Sequence, residues 1–238
     1  MTDLALLAEV PASALAIGAH PDDVEFGCGG TLARWAAAGC VVHHLVLTDG
    51  SKGSWDPAID QSALVATRQD EQREAARRLG ATGEVRFLGR VDGELEAGPW
   101  ERLEVARAIR ELRPEAVLGH DPWRRYRLHP DHRAAGWLVC DGVVAAREPH
   151  VRVAGLEAWR PALLLLWEAD EPNVAVDVAG LVETKLDALL AHESQYESTM
   201  GALDGFGDLV RSKLTGWGVR AGVEAAEAFT RIDEQVAM

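Results

Sequence analysis

Apolar runs alternate with helical patterns over the first two thirds of the chain. Ala14–Ala19 reads as a short buried strand, and Val41–Thr48 as a second, apolar apart from His43 and His44. Val85–Leu88, Ala116–Gly119, Leu163–Trp167 and Val174–Val178 read as further strands. Between them lie helical segments: Thr31–Ala38 stopped by Gly39, Ser62–Leu79 stopped by Gly80, Pro99–Leu112, Asp131–Ala146 and Leu181–His192. Leu103, Ala106, Ile109 and Leu112 fall at helical spacing, with Pro99 near the first turn and Pro114 beyond the end. Strands separated by helices of this length imply right-handed βαβ units. The pattern therefore predicts an α/β fold with a mainly parallel sheet and helices on both faces, Rossmann-like in outline. Beyond Tyr196 the periodicity weakens, interrupted by Gly201, Gly205, Gly207, Gly216, Gly218 and Gly222. This tail reads as a less regular C-terminal subregion of one domain spanning residues 1–238.

Composition narrows the picture. A chain of 238 residues with 47% hydrophobic and 26% charged residues buries a core without needing a disulfide or a structural metal. Cys28, Cys40 and Cys140 are too few and too scattered for a disulfide framework or a zinc ribbon, and fit a reducing compartment. The net charge of −14 opposes phosphate backbones and anionic lipid heads, which excludes nucleic acid and membrane surfaces as partners. The longest wholly apolar run, Ala162–Trp167, is far short of the ~20 residues that span a bilayer. No basic region precedes the first apolar stretch, so a cytoplasmic protein is expected.

Two polar clusters carry the candidate chemistry. His20-Pro21-Asp22-Asp23 follows the first strand, and His129-Pro130-Asp131-His132 follows the fourth strand and its loop. Parallel strands deliver their carboxyl ends to one edge, so both clusters face one crevice. A catalytic zinc typically takes three His or Asp ligands and keeps a fourth position for water, whose pKa falls to ~7. Two adjacent acids can divide the labour, one ligating and one taking the water's proton. Two histidines three residues apart can divide likewise, one on the metal and one on the developing oxyanion. Either cluster alone also reads as a turn or a helix start; together they outline a metal-assisted hydrolase. The residue types leave open which Asp and which His takes each part. Asp49, at the end of a strand on the same edge, is placed to orient a ligand histidine. Gly27, Gly29 and Gly30 do not form a nucleotide loop and read as close packing of the first helix.

The run Ala19-His20-Pro21-Asp22-Asp23-Val24-Glu25-Phe26-Gly27-Cys28-Gly29-Gly30-Thr31-Leu32 resembles the signature of the PIG-L (LmbE-like) family of zinc-dependent N-acetylglucosaminyl de-N-acetylases. Weaker matches follow in order: Leu47-Thr48-Asp49-Gly50, Arg68 with Glu71 and Glu74, and His120-Asp121-Pro122 ahead of the second cluster. His192-Glu193-Ser194-Gln195 and Ala226-Glu227-Ala228-Phe229 complete the set. The resemblance implies one Zn2+ per chain on His20, Asp23 and His132, with iron or cobalt able to substitute. It makes Asp22 the general base and His129 the oxyanion-stabilising residue, and it sets a part in substrate binding for Arg68 beside the plainer reading of a helix-surface ion pair. Asp49 and Asp121 are the candidate supports of the site. Some members carry a tyrosine or an acid just before the second cluster. Here the run is Arg124-Arg125-Tyr126-Arg127-Leu128, and Tyr126 is the candidate for that role.

The implied reaction removes an N-acetyl group from a small N-acetylglucosamine-containing molecule. Trp55 and Trp123 either stack on the sugar or pack against protein. Arg124 and Arg125 either clamp an acidic substrate group or stay solvated. An amidase acting on a thiol conjugate is one alternative, and a catalytically silent metal- or sugar-binding regulator is another. The intact set of Asp22, Asp23, His20, His129 and His132 argues against the silent form. A homo-oligomer is left open.

Overall fold

The strand Ser13–Gly18 (β2) is apolar on both faces and buried along almost its whole length, as a central parallel strand must be. In the computed structural model, which describes residues 4–201 and 204–232, it pairs in parallel with Val41–Thr48 (β3) on one side and Ala116–His120 (β5) on the other. Beyond β3 lies Val85–Arg90 (β4), and beyond β5 lies Leu163–Trp167 (β6). With Ala5–Leu6 (β1), Val174–Asp177 (β7) and Ala226–Ile232 (β8), the eight strands form one sheet in the order β1-β7-β8-β6-β5-β2-β3-β4. Among the described strands only β8 runs antiparallel to its neighbours.

Alternate residues of β2 serve opposite cores. Ala14 and Ala16 pack with the helices Asp23–Ala37 (α1), Gln61–Arg78 (α2), Val182–Leu189 (α5) and Phe206–Ala221 (α6). Leu15 and Ile17 pack with Pro99–Leu112 (α3) and Pro130–Arg147 (α4). The chain runs from β2 outward through β3 and β4, then returns to β5 on the other side of β2. That reversal opens a crevice beyond the carboxyl ends of β2 and β5, where ligands bind in open α/β sheets. Among the described residues no helix is long and apolar enough to cross a membrane.

Two elements differ from the sequence pattern. The first helix starts at Asp23, eight residues before the expected Thr31, and carries a non-helical break at Cys28 (φ −147°, ψ 18°). The three nearby glycines hide this helix from a propensity reading. The tail beyond Tyr196 holds the 16-residue helix α6 and then β8, which threads between β6 and β7. Gly207 and Gly216 are accommodated inside α6, and three other glycines act at its ends and at a contact. Gly205 and Gly222 flank α6 in left-handed conformation (φ 69° and 77°). A Cβ on Gly218 would meet the carbonyl oxygens of Val223 and Glu224 at 2.7 Å.

Candidate active site

The end of β2 turns sharply into α1, and the turn sets the first cluster. Asp22 adopts φ 105°, a left-handed conformation that costs a non-glycine residue about 1–3 kcal/mol and persists only when its surroundings impose it. Its surroundings are polar and specific. Gln72 Oε1 accepts the Asp22 N–H at 2.9 Å, and Arg68 Nη2 donates to the Pro21 carbonyl at 2.6 Å and lies 3.4 Å from Asp22 Oδ2. Arg68 also donates to the Gly50 carbonyl at 2.9 Å and is buried, although its sequence position suggested a helix surface as readily.

His20, Asp23 and His132 converge. His20 Nδ1 lies 3.2 Å from His132 Nε2 and 3.3 Å from Asp23 Oδ2, and His132 Nε2 lies 3.2 Å from Asp23 Oδ1. Ligand distances of ~2.0–2.1 Å around a tetrahedral cation give ligand–ligand edges of about 3.4 Å, so the two edges that meet at His132 Nε2, from His20 Nδ1 and from Asp23 Oδ1, suit one zinc-sized ion. The far side of the His20 ring is held by carboxylates: Nε2 lies 3.1 Å from Asp131 Oδ2 and 3.2 Å from Asp92 Oδ1. Such an arrangement turns Nδ1 inward as the ligand atom. Asp131 is fixed in turn by the N–H groups of Gly93 and Leu95. Asp49 reaches the same assembly indirectly, through Asp92, whose N–H it accepts at 3.1 Å. Asp121 accepts the Trp123 N–H at 2.7 Å and so shapes the following loop.

The two adjacent aspartates are driven apart electrostatically. Burial raises the Asp22 carboxyl to about 6, against the pull of Arg68 and with help from the Asp23 charge. Burial opposes ionisation of Asp23 too, but His132 and His120 outweigh it and hold this carboxyl well below the usual range. A pair pushed apart in this way separates a proton acceptor from a permanent anion. Burial lowers the pKa of His20, yet Asp131, Asp23 and Asp92 together carry it well above the usual histidine value. His129, at the open side of the cluster, stacks near His132 (ring centroids 4.7 Å apart) and is lowered by burial and by the neighbouring His20 and His132. It is thus neutral near pH 7 and able to donate one N–H.

These groups floor a cavity of about 760 Å³, within the range of small-molecule sites. Trp55, 83% exposed, and Arg68 line it; Trp123, Arg124, Arg125 and Tyr126 do not. Trp123 meets Trp137 edge to face at 5.2 Å. Arg124 pairs with Glu168 and Arg125 with Asp170, while Tyr126 is 91% exposed. The C-terminal landmark closes the opposite wall: Gln195 and Ser198 donate to the Gly53 carbonyl, and Ser194 is held by Glu71. Under Asp22, the buried Glu25 lies 3.3 Å from His192 Nε2 and accepts from Gln72. Gln72 and Asp92 are site residues that the motif reading passed over, and His120 is one that it quoted without giving it a role. A signal existed for Asp92 and for a role of His120, since Asp92 follows β4 and His120 ends β5 at the edge that carries both clusters.

Because Asp22 must be ionised to take a proton, its raised pKa has a direction in kinetics. We expect kcat/KM to fall as pH drops through about 6. A dication beside Asp23 favours the ionised form, so it moves this limb to lower pH. A limb above pH 7 that disappears in Asp22→Asn would contradict the assignment.

Residues 15–142 match the family described as PIG-L: GlcNAc-PI de-N-acetylase. A diacetylchitobiose deacetylase of Thermococcus kodakarensis is 37% identical over 186 residues, covering 76% of this chain and 69% of that protein. A 1D-myo-inositol 2-acetamido-2-deoxy-alpha-D-glucopyranoside deacetylase of Mycobacteroides abscessus is 32% identical, covering 75% of this chain and 80% of that one. Among solved structures, N,N'-diacetylchitobiose deacetylase from Pyrococcus horikoshii, in complex with an inhibitor, superposes with a TM-score of 0.86 at 29% identity, over 96% of this chain and 86% of that one. With a match over more than half its length and a relative above 30% identity, the chain belongs to the PIG-L family of de-N-acetylases.

Proposed function

We propose that the chain is a zinc-dependent N-deacetylase that hydrolyses the acetamide of a small N-acetylglucosamine-containing molecule. The observation that carries this reading is the placement of His132 Nε2 at 3.2 Å from both His20 Nδ1 and Asp23 Oδ1, with a separately held, proton-accepting carboxylate beside them. Relatives named for diacetylchitobiose and for an inositol-linked acetamido sugar support the substrate class. His20, Asp23 and His132 would hold a divalent cation, which would supply Lewis acidity and lower the pKa of a water to ~7. Asp22 takes the proton of the attacking water and returns it to the leaving amine nitrogen. His129 donates an N–H to the oxyanion that forms on the acetyl carbon. Arg68 and Gln72 keep Asp22 in its strained backbone conformation through both steps. Trp55 offers an aromatic face at the rim of the cavity for the sugar ring.

Acetate release from metal-loaded protein tests the substrate class, using N-acetylglucosamine, its short oligomers and its inositol or other aglycone conjugates. Turnover of at least one is expected. Negligible rates on all of them, with good rates on a non-sugar amide, would overturn the sugar assignment and leave the hydrolytic site in place. The ligand set has its own test. Asp23→Ala should reduce bound metal from about one per chain to near zero by elemental analysis, and unchanged stoichiometry would remove Asp23 from the set.

A further inference from the structure

His120 ends β5 and is 1% exposed, with its ring stacked on His132 at a centroid separation of 4.5 Å. Its ligand atom lies close enough to those of Asp23 and His132 for the three to hold an ion. Distance alone would therefore admit it as a ligand in place of His20. The hydrogen bonds on its other nitrogen decide otherwise. Arg127 Nη1 lies 2.9 Å from His120 Nδ1, and Trp167 Nε1 lies 3.0 Å from the same atom. Guanidinium and indole N–H groups only donate, so Nδ1 must present its lone pair and the ring proton must sit on Nε2. A protonated Nε2 cannot bind a metal. It is buried without an aligned hydrogen bond, and Asp23 Oδ2 stands 3.3 Å from it. The same oxygen already accepts the backbone N–H of His20 at 2.7 Å.

We infer that His120 is a positioning residue: its Nε2–H faces Asp23 Oδ2 and makes that oxygen the poorer ligand, which leaves Oδ1, beside His132, as the oxygen that faces the cation. Oδ2 then accepts the backbone N–H of His20 and meets the His120 N–H on its other side. Asp23 is thereby restricted to one ligating oxygen, and a coordination position is kept open for water and substrate. Trp167 serves this arrangement at a distance. A Cβ on Gly27 would run into its indole ring, so the glycine in α1 lets Trp167 reach His120.

This role rests on the proposed ligand set, but its first test does not. Long-range 1H–15N NMR of histidine-labelled, metal-free protein reads the tautomer, with His120 assigned by its loss in His120→Gln. A protonated Nε2 and a bare Nδ1 are expected, and the pattern should persist when Zn2+ is added. A protonated Nδ1, or an Nε2 that moves to a metal-bound shift, would overturn the inference. The second test is Zn2+ affinity by chelator competition. His120→Phe removes the donor and should weaken binding about 10–100-fold, the usual loss for a residue that orients a ligand. His120→Gln restores an N–H of similar reach and should recover most of it. Equal losses in both variants would reduce His120 to a packing role; should either fail to fold, the wild-type tautomer still decides. Full metal retention in Asp23→Ala would overturn the ligand set while leaving the tautomer result standing.

Discussion

Asp22→Asn is expected to lose about 10²–10⁴-fold in kcat while keeping its metal and its fold, the range set by removal of a general base. The substitution is chosen because asparagine tolerates the left-handed backbone that this position adopts at φ 105°. The Gln72 bond to the backbone N–H is untouched, and an amide oxygen can still face Arg68. What disappears is a group able to take a proton. Asp23 does not replace it, because His132 and His120 hold that carboxyl well below the range in which it accepts protons near neutral pH. Three measurements on one preparation separate the cases: steady-state turnover, metal stoichiometry and thermal melting. Turnover near wild type would remove Asp22 from the role of base. Loss of metal along with activity would make Asp22, not Asp23, the more important anion for the cation.

The parallel core and the two clusters were legible because they rest on local rules. β3 occupies Val41–Thr48 as read, since β-branched apolar runs between turn residues have few other uses. His20, Asp22, Asp23, His129 and His132 meet because strand-to-helix connections of parallel strands share an edge. Residues whose roles depend on distant partners were not legible. Arg68 looks like one more charge on a polar helix until the Pro21 and Gly50 carbonyls fold against it. His120 looks like one more buried histidine until Arg127 and Trp167 fix its proton, and those donors lie 7 and 47 residues away. The 122–128 segment was open to two readings. Its aromatic and basic residues were candidate substrate contacts, whereas Trp123, Arg124, Arg125 and Tyr126 do not line the cavity, although Glu168, the partner of Arg124, does. β8 escaped notice because a single antiparallel strand at the end of the chain has no βαβ unit to announce it.

Glu227→Ala should cost about 3–5 kcal/mol of stability, as expected when one partner of a buried ion pair is removed. The pair joins β8 to α5: Glu227 Oε1 lies 2.5 Å from Lys185 Nζ, and both side chains are buried. Its position explains the break in α1. In an unbroken helix the Gly30 N–H would bond the Phe26 carbonyl four residues earlier. Here Glu227 accepts the N–H groups of Gly30 at 2.9 Å and Thr31 at 2.7 Å, while Lys185 donates to the Phe26 carbonyl at 2.9 Å. The ion pair thus takes over the backbone bonds that the Cys28 distortion releases, and it steadies the helix whose first turn carries Asp23. Glu227→Ala strands two N–H groups and a buried ammonium together. Lys185→Met strands one carbonyl and leaves Glu227 still bonded to two N–H donors, so it should cost less. For a chain of this size about 2–4 °C of melting temperature is lost per kcal/mol, which puts Glu227→Ala roughly 6–20 °C below wild type. Melting of both variants in metal-free protein measures the order. A larger loss in Lys185→Met would mean that the charge pair alone, and not the repair of α1, is what β8 contributes.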